Sequence, residues 1–446
     1  MRSRWFILWT VSLVVAVCAA PASSGDRIEQ FRQTRKEVLP LLKSKETADR
    51  IEALKRLQKF PLEDAVRLIA GALEDPSPEV SKFARESLAE MNGNLEVCET
   101  LLAMTKREAR SKDGSTASAA VLSILLSSKL QSTRRAVDDL LAGSAGTADG
   151  AAVAIAVLDE IATRRSNDDV PALARLTETS VFENHAGVRR TLVYALTQIP
   201  SKEAVDVLIG NLDRVGGEAR ADAVEYLTQL TEQIFGLESG AWQRWWRTAK
   251  ATYKYPAVTK RAPYRGTLTE GSSGYYYGMP IFAERLVFVL DTSGSMEGPR
   301  IEAAKRELTK AITALPDYVQ FTVVAFNSRI DVWQRQLVPA NEQNKRAAIA
   351  SVNRQGASAS TASYDALETA MAFDTEAIYF LSDGAPTIGK IVAPADIVTA
   401  ITTANRLRRV SVYTIGIGAG FPGSPLDVFL KTLAEQNLGV YRRVDN

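Results

Sequence analysis

Three short segments of the 446-residue chain gather oxygen donors. Asp291-Thr292-Ser293-Gly294-Ser295-Met296 follows the apolar run from Leu286 to Leu290. Ser360-Thr361-Ala362-Ser363-Tyr364-Asp365-Ala366-Leu367 leads into a helical stretch, and Leu381-Ser382-Asp383-Gly384 closes a second apolar run. Carboxylates and hydroxyls are hard donors that suit Mg²⁺ or Mn²⁺, and with no His or Cys among them the set is wrong for zinc. The chain's one His, His185, has no second His and no Cys beside it, so a structural or exposed role is expected there. Asp291 also raises nucleophilic chemistry, as in a metal-dependent hydrolase or phosphotransferase. The D-x-D pattern of aspartyl phosphatases needs a second Asp, and Ser293 stands in its place. No P-loop, H-E-x-x-H or G-x-S-x-G motif stands on a suitable frame, so no other enzyme class gains support.

The segments need a frame that brings them together. Apolar runs near 286–290, 319–326, 377–381, 410–415 and 439–441 alternate with helical periodicity near 299–314, 341–353, 363–372, 394–407 and 425–437. Strand and helix alternation with fully apolar strands predicts a parallel sheet covered on both faces, the doubly wound α/β class. Such sheets bind ligands outside the carboxyl ends of their strands, where strand order reverses. The three oxygen-bearing segments fall at those ends.

D-x-S-x-S, the Thr ahead of Y-D-A-L, and S-D-G, in that order on one α/β frame, resemble the motif blocks of the von Willebrand factor type A domain. The resemblance spans 284–446. It implies a metal ion-dependent adhesion site in which Ser293, Ser295 and Thr361 supply hydroxyl ligands and Asp291 and Asp383 the acids, some through water. It further implies an exposed coordination position that an Asp or Glu of a partner protein fills. Many family members carry G-G-T-N before the Y-D-A-L block, whereas this chain has Ala359-Ser360-Thr361-Ala362. Thr361 is retained, and the departure bears on loop conformation and partner choice.

Residues 26–250 read differently. Apolar residues recur at three and four, and the markers Val66, Val97, Val137, Val170 and Val205 are separated by 31, 40, 33 and 35 residues, in the range of two-helix solenoid repeats. Asp75-Pro76-Ser77-Pro78-Glu79-Val80, followed by Ala84 and Leu88, resembles the turn of HEAT repeats: Asp75 and Pro76 stop one helix and Pro78 starts the next. The expectation is an α-solenoid of HEAT-like repeats, with an irregular helical bundle as the alternative. Trp242, Trp245 and Trp246 at helical spacing are expected to cap the last repeat; an exposed aromatic patch is the other reading.

Residues 251–283 form a connector with four basic residues against one acid, and the Tyr275-Tyr276-Tyr277 run reads either as extended linker or as an edge strand. At the other end, Arg2 and Arg4 precede an apolar run from Trp5 to Ala20, with Ala20-Pro21-Ala22 behind it. Residues 1–22 read as a secretory signal peptide; an uncleaved anchor, or lipidation at Cys18, are the alternatives, and only these would bring the protein to a membrane. Removing the leader leaves 52 basic and 52 acidic residues and Cys98 as the one cysteine. Such a balance gives no field to recruit nucleic acid, and no internal disulfide is possible. The functional expectation is an exported, non-enzymatic binding protein, periplasmic, cell-surface or secreted. Its metal site would take an acidic group of a protein partner, and its helical array would offer a second surface. A scaffold that binds through the array alone, with a vestigial metal site, is the alternative.

Overall fold

The structure, a computed structural model, describes residues 24–108, 120–122, 124–125, 128–133, 135–136, 148–256, 271–418 and 421–445. The leader segment, Val137 and the middle of the basic connector lie outside the described residues. The chain divides into two compact units, 1–100 and 101–446.

The first unit is helical: α1 (Ser24–Leu42), α2 (Thr47–Leu57), α3 (Glu63–Gly71), α4 (Pro78–Met91) and the start of α5 (Leu95–Glu108). Leu54, Leu57, Val66, Ile69, Val80, Ala84 and Leu88, spaced by three and four, are fully buried. The Asp-Pro-Ser-Pro turn works as its residue types require. The Asp75 carboxylate accepts the Ser77 N–H at 2.8 Å and both arms of Arg50 at 2.8 and 3.0 Å, and Pro78 occupies the first turn of α4.

In the second unit the helices α6 (Ala148–Arg164), α7 (Val170–Leu176), α8 (Ser180–Asn184), α9 (Ala186–Gln198), α10 (Lys202–Gly210), α11 (Leu212–Val215), α12 (Gly217–Thr231) and α13 (Ser239–Ala249) precede a mixed α/β part. Trp242 and Trp246 of α13 are buried, their indole N–H groups donating to Gly236 O and Asp206 Oδ1 at 2.9 Å each. The aromatic cluster therefore closes the helical layer rather than facing solvent.

The sheet order is β5-β4-β3-β7-β8-β9, with β6 also on β4. β3 (Arg285–Asp291), β4 (Gln320–Phe326), β7 (Ala377–Ser382), β8 (Ser411–Ile417) and β9 (Tyr441–Val444) are parallel. The helices between them are α14 (Pro299–Ala314), α15 (Glu342–Arg354), α16 (Ser363–Met371), α17 (Pro394–Asn405) and α18 (Pro425–Gln436). Period-two alternation sends Phe288, Leu290, Tyr379 and Leu381 into the core layer with α14 and α15. Val287, Val289, Ile378 and Phe380 enter the layer with α16, α17 and α18. The wholly parallel sheet expected from the apolar runs is extended by β5 (Ile330–Val332) and β6 (Val338–Pro339), both antiparallel to β4. These edge strands are short and interleaved with polar residues. The Tyr run forms a separate hairpin, β1 (Tyr275–Tyr276) with β2 (Met279–Pro280), and Tyr276 is buried against Phe288 and Tyr379.

Within the second unit the helices meet the sheet at the starts of its strands. Buried Arg190 of α9 donates to Asp222 Oδ2 and to Ser411 Oγ, both at 2.7 Å, and Glu218 accepts from Tyr413 OH at 2.8 Å. The first turn of α12 donates to carboxylates that precede β3 and β7: Gly217 N–H to Glu284 at 3.1 Å and Glu218 N–H to Glu376 at 3.5 Å. Gly217 has φ +42°, and a Cβ there would overlap the Glu376 carboxylate. Strands of seven residues at about 3.3 Å each separate this contact from the opposite, carboxyl edge by roughly 20 Å.

Candidate metal centre

β4 and β7 lie on opposite sides of β3, so strand order reverses beside it, and the loops that follow β3 and β7 share the crevice this creates. Parallel register sets Leu290 against Leu381, which brings Asp291 next to Ser382 and Asp383.

Asp291 ends β3 and is fully buried. Its Oδ1 accepts the Ser293 N–H at 2.8 Å, a local turn characteristic of Asp, and its Oδ2 accepts the Ser382 hydroxyl at 2.5 Å. Thr292 fixes the loop from its other side: its N–H and hydroxyl both donate to Phe326 O, at 2.7 and 3.0 Å, and its carbonyl accepts from Ser358 N–H at 2.9 Å. The chain then turns through Gly294–Met296, which holds the Ser293 and Ser295 hydroxyl oxygens 3.2 Å apart. Ser295 donates to Asp383 Oδ1 at 2.7 Å. Thr361 is held through its backbone, its N–H donating to Thr387 Oγ1 at 2.8 Å and its carbonyl accepting from Thr387 N–H at 2.9 Å. Gly384 shows where its hydroxyl points: a Cβ there would lie 3.2 Å from Ser295 Oγ and 3.6 Å from Thr361 Oγ1.

All five residues singled out from sequence, Asp291, Ser293, Ser295, Thr361 and Asp383, thus border one small site. Asp291, Ser293, Thr361 and Asp383 are buried, and Ser295 is exposed. Two further residues belong to the site. Ser382 is the hydroxyl partner of Asp291. Arg300, in the first turn of α14, donates to Asp383 Oδ2 at 2.9 Å and to Ser295 O at 3.2 Å. A cation in the first turn of a helix opposes the helix dipole, and that unfavourable placement was the sequence signal for Arg300.

Burial pushes the Asp291 carboxyl up to about 6, against the pull of the hydrogen bonds from Ser382 and Ser293, and the nearby Asp383 charge adds to the rise. Among the described residues no Lys or Arg pairs with Asp291, and no cluster of three or more His, Cys, Asp or Glu side chains is arranged to hold a metal. A cation here would rest on two carboxylates and three hydroxyls. That donor set fits Mg²⁺ or Mn²⁺, and a divalent ion is the counter-charge a buried, unpaired carboxylate calls for.

The departure at Ala359 has a structural expression. Ala359 holds φ +61°, a conformation glycine adopts freely and alanine does not, while its carbonyl accepts the Gly294 N–H at 2.9 Å. The loop carries backbone strain at this position.

Residues 284–443 match the family model described as the von Willebrand factor type A domain. Mouse (Mus musculus) inter alpha-trypsin inhibitor heavy chain 4 is 27% identical over 181 residues, which cover 37% of this chain and 18% of the mouse protein. Inter-alpha-trypsin inhibitor heavy chain H1 of Mesocricetus auratus is 29% identical over 175 residues, covering 36% and 18%. The chain therefore matches about a fifth of the length of these relatives. Among solved structures, a von Willebrand factor type A protein from Catenulispora acidiphila is 25% identical with a TM-score of 0.31, covering 36% of this chain and 38% of that one. Proximal thread matrix protein 1 of the mussel byssus is 22% identical with a TM-score of 0.29, covering 36% and 41%.

Proposed function

With residues 284–443 forming a von Willebrand factor type A domain, we propose that the protein is a non-enzymatic binding protein that captures an acidic group of a protein partner through one Mg²⁺ or Mn²⁺ ion. Asp291, Ser293, Ser295, Thr361 and Asp383 hold the ion, and the position on the exposed Ser295 side takes a partner's Asp or Glu carboxylate. What supports this reading is a buried Asp291 carboxylate that no basic side chain among the described residues neutralises, followed by a turn in which the Ser293 and Ser295 hydroxyls lie 3.2 Å apart.

The proposed organisation is a leader at 1–22, a HEAT-like array at 26–250, a connector at 251–283 and the binding domain at 284–446. Export rests on the leader-like segment. Among the described residues no helix is long and apolar enough to cross a membrane. Within the second unit the helices meet the sheet at the strand starts, opposite the carboxyl edge at which the partner is proposed to bind. A pull-down from envelope or extracellular material tests the reading. Capture in Mg²⁺ that is lost in EDTA and in Asp291→Ala supports it, and equal capture with and without Mg²⁺ sinks it.

A further inference from the structure

Arg300 stands beside the candidate site without being one of its ligands. Its guanidinium caps Asp383 Oδ2 at 2.9 Å, and the Asp383 side chain is wholly shielded from solvent while Arg300 is one-third exposed. The other Asp383 oxygen accepts from Ser295, so Arg300 supplies the one cationic contact to this carboxylate among the described residues. Its second donor contact, to Ser295 O at 3.2 Å, fixes it at the rim formed by the exposed Ser295.

The charge count across these residues decides what Arg300 does. Asp291 and Asp383 alone carry two negative charges, which a divalent cation would cancel, leaving a neutral site with no electrostatic preference for an anion. With Arg300 paired to Asp383, the side chains carry a net single negative charge, and adding a divalent cation leaves a net single positive charge. Resting on the metal-site reading above, we infer that Arg300 is a specificity-determining residue that weakens cation binding and strengthens carboxylate binding. Linkage makes the coupling reciprocal: a carboxylate must tighten the metal by the same factor as the metal tightens the carboxylate. A bare two-acid site would hold its metal more tightly by itself and a carboxylate less tightly, whereas Arg300 shifts affinity from the cation to the partner's carboxylate. The guanidinium, planar and permanently charged, is also suited to a second hydrogen bond with a carboxylate seated at the rim.

The test is titration calorimetry with Mn²⁺ on the full chain, in chloride buffer and in the same buffer with about 100 mM acetate as the carboxylate probe, a concentration suited to the weak attraction of a solvent-exposed charge pair. Arg300→Gln is expected to bind Mn²⁺ about tenfold more tightly than the wild type in chloride, the order expected for removing one nearby like charge at a partly exposed site. Acetate is expected to tighten Mn²⁺ in the wild type and to have little effect in Arg300→Gln. Arg300→Lys keeps the charge and is expected to restore the wild-type metal affinity. A merely structural role for Arg300 would loosen the metal in Arg300→Gln. That result, or Mn²⁺ affinity and acetate response unchanged from wild type, overturns the inference while leaving the metal site standing. Absence of Mn²⁺ binding in every variant overturns the metal site and this inference together.

Discussion

Replacing Asp291 with Asn should stabilise the metal-free protein and disable it. The carboxyl is held at about 6 rather than its ordinary 3.8, chiefly because it is buried. At about 1.4 kcal/mol for each tenfold change in a protonation equilibrium, keeping it ionised in the folded state costs ~3 kcal/mol above pH 6. The sign follows from the raised value. Its contribution to stability is fully present below about 4, where folded and unfolded states are both protonated. It is lost as pH rises through about 6. Asn is nearly isosteric and uncharged. Its carbonyl can accept the Ser293 N–H, and Ser382 can turn its hydroxyl to Gly384 O, already at 3.1 Å, to receive the new amide. In EDTA, urea unfolding should show Asp291→Asn ahead of wild type by only about 1 kcal/mol at pH 4.5. By pH 8 the variant should lead by ~2–3 kcal/mol. Added Mg²⁺ should raise the wild-type midpoint and leave the variant unmoved, by mass action on the folded state. A variant less stable than wild type at pH 8, or a difference that does not grow with pH, would refute the reasoning.

Three further outcomes are expected. Ala359→Gly relieves a left-handed alanine on an exposed loop; against ~1–2 kcal/mol of strain stands the greater freedom of glycine in the unfolded chain, ~0.5–1 kcal/mol, so urea unfolding should show a net gain of about 0.5–1 kcal/mol. Glu376 is buried where α12 meets the sheet, and burial pushes its carboxyl up to about 7, against the pull of the Glu284 N–H and Arg189. A raised carboxyl favours folding below about 4.5 and loses that contribution as pH rises through about 7. Glu376→Gln should therefore flatten the fall in stability between pH 5 and pH 8, read as thermal midpoints across that range; an unchanged slope would count against it. Trp242→Ala empties a fully buried position in the layer closed by α13 and should cost about 3–5 kcal/mol in urea unfolding, with Mn²⁺ affinity unchanged because the metal centre lies at the far edge of the sheet.

The parallel strands β3, β4, β7 and β8 were legible in the sequence because each is an apolar run buried on both faces, whereas β9 carries Arg442 and Arg443, is only partly buried, and lies at 441–444 rather than at the expected 439–441. The five candidate ligands were legible because each stands where such a run ends or a helix begins. Other features depend on which strands become neighbours. Ser382 reaches Asp291, and Arg300 reaches Asp383, only once β7 lies beside β3; the pairs are 91 and 83 residues apart in the chain. The junction at the strand starts is of the same kind: Gly217, Glu284 and Glu376 meet through tertiary packing, and no local pattern marks them as a group. The short strands β5 and β6 escaped notice because Ile330-Asp331-Val332 is too brief and too polar to stand out from a loop, and the reversal at Asn327 that precedes them is made by one side chain accepting the Arg329 N–H. The strain at Ala359 was foreshadowed by Ala359 and Ser360 standing where many members of the resembled family carry two glycines, but its φ is a property of the fold.

Titration of Mn²⁺ into the full chain, with Asp291→Asn and Asp383→Asn alongside, tests the metal centre most directly. The expected result is one ion per wild-type chain, with affinity reduced at least about tenfold in each variant, the scale of removing one charged ligand. Wild-type protein that takes up no Mn²⁺, or variants that bind it as tightly as wild type, would contradict the assignment of Asp291, Ser293, Ser295, Thr361 and Asp383 as its ligands.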